Sequence, residues 1–131
     1  GGTQVVLGNY GSQNEFAISV SSQNPYPIAA RIYGSSQYSW DSCNFTTSPG
    51  PYALSFTYDS STMRTFVNGS AANTQSSSRT IDWKSTAIGR SGTGSSNYWT
   101  GDIAELIIFD RLLTSAEQTE VELILIDKYG F

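Results

Sequence analysis

The chain has 131 residues, 38% of them hydrophobic and only 14% charged, with a net charge of -4. It is the size of one domain, able to bury roughly two-thirds of the surface its unfolded chain exposes. It contains no histidine and one cysteine, Cys43, which excludes an internal disulfide, Ser-His or Cys-His nucleophile machinery and histidine-bearing zinc sites.

The seven basic residues are scattered from Arg31 to Lys128, whereas a phosphate-binding face needs them clustered, so no nucleic-acid partner is expected. No apolar run reaches the roughly 18 residues of a membrane span. No signal peptide is visible, and the opening Gly1-Gly2 reads as the start of a mature or excised piece. Ser and Thr make up about a quarter of the chain, a flavour common in secreted or virion-surface β-proteins.

Short alternating runs then follow in order. "TQVVLG" reads as a first strand. "NEFAISV" places Phe16, Ile18 and Val20 on one face, and "IAARIYG" follows a Pro25/Pro27 corner that restricts the backbone. "SQYSWDSCN" reads as a loop. "PYALSFTYD" alternates Tyr52, Leu54, Phe56 and Tyr58 against Ala53, Ser55, Thr57 and Asp59, a strand with one wet face. "MRTFV" ends in Asn68-Gly69, a hairpin signal because both turn residues need positive φ. "TQSSSR" reads as a polar loop, "TIDW" and "STAIGR" as two more short strands, and "SGTGSSNYWTG" as a loop. Many short strands with frequent turn signals indicate an all-β antiparallel sandwich or jelly roll.

The tail "GDIAELIIFDRLLTSAEQTEVELILIDKYGF" starts as a strand from Asp102 to Asp110 and then changes period. Ile103, Ile107 and Phe109 share one strand face, and Ala104, Leu106 and Ile108 the other. A strand apolar on both faces belongs inside a layered structure. Thr114 and Glu117 form a T-x-x-E capping box. Val121, Ile124, Leu125 and Lys128 recur at helical spacing, and Gly130 stands where a C-cap glycine belongs. One helix of residues 115–128, packed on the sandwich, is expected.

The order "FTYDSSTMRTFVNGS", "STAIGR" and "YWTGDIAELIIFDRLLTSAEQTEVELILIDKYGF" resembles the concanavalin A-like lectin/glucanase superfamily. Within it, the laminin-G-like jelly-roll modules of bacterial and phage surface proteins are most similar. The resemblance covers Tyr52 to Phe131 well and residues 3–33 loosely. It implies a single laminin-G-like domain over residues 1–131. It also implies that "IAELIIFD" is a central strand, with one face in the core and the terminal helix over the other. Such modules normally carry strands upstream of the "QVVLG" run, one of them beside the C-terminal strand. The chain is therefore expected to be a sandwich whose missing strand comes from an upstream segment or a neighbouring copy, because an open apolar strand edge is an aggregation site.

Several residues carry candidate chemistry. Glucanases of this fold flank the glycosidic bond with clustered carboxylates. Asp102 and Glu105 are the nearest equivalent here, but their odd spacing places them on opposite strand faces, so no enzyme activity is expected. Glu105 reads as a carboxylate held by Arg90 or Arg111. Related folds often hold calcium, and Asp41, Asp59, Asp82, Asp102 and Asp110 could contribute oxygens, yet none has the spacing of a dedicated calcium loop. Scattered solvated aspartates are the competing reading; no other cofactor is expected. Sugar sites present Trp or Tyr faces beside Asn, Asp or Gln. Two stretches fit: Tyr38, Trp40, Asp41 and Asn44, and Asn97, Tyr98 and Trp99 with Asp102 after them. Adjacent Tyr98 and Trp99 would point opposite ways if extended, so one of them would plug the core. Asn44-Phe45-Thr46 and Asn68-Gly69-Ser70 match the glycosylation sequon at near-chance frequency. Cys43 reads as a packed thiol.

Two functions follow as expectations. The first is a non-catalytic carbohydrate-binding or adhesion module of a larger extracellular, cell-surface or virion-surface protein, with a glycan or glycoprotein surface as partner. The second is a structural module of a filament, capsid or tail, with other subunits or neighbouring copies as partners and no small ligand.

Overall fold

The structure is a computed structural model that describes residues 2–9, 13–21, 27–36, 39–46, 50–84, 86–92 and 96–130. The alternating runs become strands β1 (Thr3–Gly8), β2 (Phe16–Ser21), β3 (Pro27–Tyr33), β4 (Trp40–Thr46), β5 (Leu54–Tyr58), β6 (Thr62–Val67), β7 (Ser70–Ser76) and β8 (Ala87–Ile88). One helix, α1 (Ser115–Tyr129), follows them. The strands form two antiparallel sheets, a five-stranded one in the order β4-β3-β2-β1-β8 and a three-stranded one in the order β5-β6-β7. Two sheets and one C-terminal helix make the expected β-sandwich.

The core lies between the sheets. Leu7, Phe16, Ala30, Ile32 and Cys43 of the larger sheet meet Met63 of the smaller one, and Ile18, Phe56, Tyr58 and Ile81 pack around them. The rings of Phe16 and Phe56 stack across the gap, with centroids 4.6 Å apart. Such a pair adds roughly 0.5–1.5 kcal/mol beyond the area it buries. Cys43 is fully buried, its sulfur 3.5 Å from the Thr65 hydroxyl.

Local turn chemistry behaves as expected. Asn68 (φ 49) and Gly69 (φ 83) both occupy the left-handed region that joins β6 to β7. Thr114 caps α1: its hydroxyl accepts the Glu117 N–H at 3.2 Å, and the Glu117 carboxylate accepts the Thr114 N–H at 2.8 Å. Gly130 closes the helix in the left-handed conformation, its N–H bonded to the Ile126 carbonyl.

Several expectations need correction. "SQYSWDSCN" is not wholly a loop, since Trp40 onward forms β4. "TQSSSR" is not wholly a loop either, because β7 runs to Ser76 with every residue exposed. A strand with no buried face leaves no apolar alternation to read. "TIDW" forms no strand, and of "STAIGR" only Ala87–Ile88 pairs, with Leu7 and Gly8. Finally, β5 is half-buried along its whole length, without separate wet and dry faces. It is the outermost strand of its sheet, so its flank as well as its outer face meets solvent.

The largest departure concerns Asp102 to Asp110. This run is not a central strand: no described residue pairs with its backbone, and residues 101–112 are exposed throughout. A strand forms only where a neighbour completes its ladder, and no described part of this chain supplies one. Nor does α1 cover a face of that run in a sandwich. The helix instead meets the β6–β7 turn, where Glu122 is 3% exposed and lies close to Gly69 with Ile126. Gln118 donates to the Glu122 carboxylate at 3.1 Å. Leu123 and Ile124 stay exposed.

The Arg111 guanidinium donates two hydrogen bonds, at 2.9 and 2.8 Å, to the Glu117 carboxylate. With the Thr114 N–H, it pulls the Glu117 carboxyl from 4.5 down to about 2. A folded value below the unfolded one means stability that is present above pH 4.5 and lost as pH falls towards 2. Helical circular dichroism should therefore decline across that window, and the decline should shrink in Glu117→Gln. Thr114→Ala should lower stability by about 1 kcal/mol in urea denaturation at neutral pH.

Candidate functional site

The β3–β4 connection folds back on itself: Gly34 donates to the Ser39 carbonyl at 2.7 Å, and Ser39 donates to that of Ser36 at 3.0 Å. This places Ser39 and Asp41 beside Arg79, which arrives from the segment after β7. The Arg79 Nε donates to Asp41 at 2.9 Å and one terminal nitrogen donates to the Ser39 hydroxyl at 2.9 Å. The Arg79 carbonyl accepts the Tyr58 hydroxyl, which fixes the backbone of that segment. Both members of the ion pair are about one-quarter exposed. Removing either charge would leave the other half-buried without its partner.

The remaining terminal nitrogen of Arg79 lies over the Gly34 backbone. A Cβ on Gly34 would sit 2.0 Å from it, so the glycine is what lets the guanidinium approach. Beside it opens a polar cleft of about 610 Å³ lined by Asn14, Gly34, Ser35, Arg79, Thr80, Ile81 and Asp82. Asn14, in the left-handed region at φ 56, donates its N–H to the Gly34 carbonyl at 2.9 Å and accepts the Asp82 N–H at 2.6 Å. These two bonds stitch the 79–83 segment to the sheet. Trp83, next to Asp82, is 52% exposed and leans on Phe16 at 5.5 Å. Trp40, next to Asp41, is 47% exposed and tilts against Tyr33 at 6.1 Å.

The sequence-predicted residues are distributed as follows. Tyr38 lies outside the described residues. On β4, alternation sends Cys43 into the core on the face opposite to Trp40 and Asn44. Asn44 receives the Ser42 hydroxyl, while its carbonyl accepts the Asn73 amide at 2.6 Å. Asp41 therefore serves the Arg79 cleft, and Trp40 and Asn44 belong to the outward face of β4.

The second predicted group works along β1. Asn97 donates to the Thr3 carbonyl at 2.9 Å, and its own carbonyl accepts the Val5 N–H at 2.8 Å. Thr100 donates to the Gln4 side chain at 3.0 Å. Tyr98 is exposed, whereas Trp99 is half-buried against Gly101, whose Cβ would lie 3.0 Å from its ring. Residues 97–100 thus form a strap along the β1 edge. β1 and β4 are three strand spacings apart, about 14 Å, so the two groups are separate.

Arg79, Asn14 and Trp83 escaped the sequence reading, which took Asp82 only as a candidate calcium ligand. The signal was an Asp-Trp pair in "TIDW", hidden because that run was taken for a strand.

The candidate calcium aspartates are dispersed. Asp41 pairs with Arg79 and Asp82 with Lys84. Asp59 accepts the Ser61 hydroxyl at 2.7 Å and Arg64 at 2.9 Å, which holds its carboxyl well below the usual range. No group of three or more acidic or cysteine side chains that could hold a metal occurs among the described residues. This donor set does not fit an ion needing six to eight oxygens. Glu105 is not held by Arg90 or Arg111. It accepts Lys128 at 2.8 Å and the Tyr129 hydroxyl at 2.7 Å, and these two lower its carboxyl. Arg111 is engaged by Glu117, and Arg90 by the Ser91 carbonyl.

A family model described as the concanavalin A-like lectin/glucanases superfamily matches residues 1–117. No curated protein matches the chain. A crystal structure of an S-layer domain-containing protein from Clostridium thermocellum is similar at 19% identity, with a TM-score of 0.44. The match covers 92% of this chain and 63% of that one, so this chain spans less than two-thirds of its length.

The backbone of Gly34 is not in the left-handed region, and the atom a methyl would strike is the far end of a flexible side chain. Gly34→Ala should therefore keep the fold, with thermal melting within a few degrees of the parent, while expelling the Arg79 guanidinium from Asp41. A crystal structure of the variant, or loss of the low-field Arg79 Nε–H resonance, would show it.

Proposed function

Because the chain belongs to the concanavalin A-like lectin/glucanase superfamily, we propose that it is a non-catalytic recognition module of an extracellular, cell-surface or virion-surface protein, which binds carbohydrate at the Arg79 cleft. The observation that carries this reading is the Arg79 guanidinium, anchored by Asp41 and Ser39 with one terminal nitrogen directed over Gly34 at the cleft. Saccharides are recognised by fixed donors and acceptors beside an exposed aromatic face. Arg79, Asn14 and Thr80 supply the former, and Trp83 the latter.

The carboxylates at the cleft support a binding role over hydrolysis. Glycosidases need one free acid and one free nucleophile or base on either side of the bond. Here Asp41 is paired with Arg79 and Asp82 with Lys84. A purely structural role in an assembly is favoured by a different observation, the exposed apolar run from Ile103 to Phe109.

Titration calorimetry against neutral and uronic-acid oligosaccharides tests the binding role. A ligand should bind, and Trp83→Ala should weaken it about tenfold, or ~1.4 kcal/mol, with the strand signal in circular dichroism retained. Gly34→Ala should weaken it as Arg79→Ala does. Absence of binding to every saccharide at millimolar concentration would refute the proposal.

A further inference from the structure

A guanidinium nitrogen stands over Gly34 at the Arg79 cleft, and taken alone it would draw an anion. The charges around it point the other way. The Arg79 Nε is already bonded to the Asp41 carboxylate at 2.9 Å. Asp82 is the other charged residue that lines the cleft, and its carboxylate pairs with Lys84. The Lys84 side chain is 70% exposed and that of Asp82 38%, so the cation leans into solvent while the carboxylate stays in the cleft wall. Glu15, next to Asn14 in sequence and only 3% exposed, adds a further negative charge. Asp82 first, and Glu15 after it, hold the Lys84 ammonium above its ordinary pKa. Two cations, Arg79 and Lys84, therefore stand among three carboxylates.

We propose that the cleft takes a neutral saccharide and rejects anionic ones, with Asp82 as the residue that sets this selectivity. Such selectivity presupposes the saccharide role of the cleft. A ligand carboxylate or sulfate arriving at Arg79 would share its guanidinium with Asp41 and lie against Asp82, and like charges brought together at an interface are strongly disfavoured. A sugar hydroxyl carries no such penalty. It is donor and acceptor at once, so neighbouring hydroxyls can accept from the Arg79 nitrogen and donate to the Asp82 carboxylate. A bond with one charged partner is stronger than a neutral one. The Trp83 face, 52% exposed beside Asp82, suits the C–H face of an uncharged pyranose. The chain as a whole, at net charge -4, also repels an anion at long range. Lys84 does not reverse the preference. An exposed pair of this kind is weak, and freeing Lys84 for a ligand would leave Asp82 unpaired beside that same ligand.

The probes are pairs of oligosaccharides of glucose, mannose or galactose, each matched in length and linkage to the oligosaccharide of the corresponding uronic acid. The members of a pair differ only in whether the exocyclic carbon is an alcohol or a carboxylate. In titration calorimetry the neutral member of the pair that binds should be at least about tenfold tighter than its uronate. Its affinity should change by less than about twofold as salt rises from about 0.01 M to about 0.15 M, because no ligand charge is there to be screened. Asp82→Asn should narrow the ratio to within about threefold by admitting the uronate. Asp82→Glu, which keeps the charge, should restore the discrimination, with the strand signal in circular dichroism retained in both variants. A uronate that binds the parent chain as tightly as its neutral partner, or tighter, would overturn the proposed selectivity and leave the saccharide role of the cleft standing. A ratio that Asp82→Asn leaves unmoved would overturn it in the same way. Binding of neither member of any pair would overturn both.

Discussion

The contact on which the rest of the molecule depends is the stack of Phe16 on Phe56. It joins the two sheets at the centre of the core, since Phe16 belongs to β2 of the larger sheet and Phe56 to β5 of the smaller. Phe16 also carries Trp83 at its edge. The ring that closes the core therefore supports the segment that delivers Arg79 and Asp82 to the cleft. Core packing and site geometry share one side chain, which makes the cleft a product of the sandwich and not an appendage of a loop.

The sheets are unequal, and the inequality sorts the edges. On one side β4 and β7 face each other across a polar seam, drawn together by the Asn73 amide on the Asn44 carbonyl. On the β1 side the strap of residues 97–100 covers the edge of the larger sheet with backbone and side-chain hydrogen bonds. Among the described residues, no further strand pairs with the outer edge of β5 in the smaller sheet. Native proteins usually blunt such edges with charge, proline or a covering segment. The described chain does so at β1 and β7, where its residues are polar, and leaves exposed apolar surface at 103–109.

What was legible in the sequence was local chemistry. Asn68-Gly69 and the Thr114–Glu117 box announce themselves because a positive φ and an unsatisfied helix-start N–H each demand a narrow set of residues. β1, β2, β3, β5 and β6 follow from alternation. β7 does not, because none of its residues is buried. β4 was hidden because its outward positions carry Trp40 and Asn44, which look like loop residues when their partner strand is unknown. The Arg79–Asp41 pair spans 38 residues of sequence, and no local rule links two such positions. The apolar pattern of 103–109 is that of a strand, yet no strand forms there among the described residues, because a pattern states what a segment would bury and not whether a neighbour exists to bury it.

The two surfaces that stand out are also independent of each other. The Arg79 cleft belongs to the β3–β4 end of the larger sheet, and the segment leading into Ile103 runs along β1, at the other side of that sheet. No residue that lines the cleft belongs to the 103–109 run or to its anchors. The Asp41–Arg79 pair, Gly34 and Trp83 therefore keep their geometry whatever covers the 103–109 run.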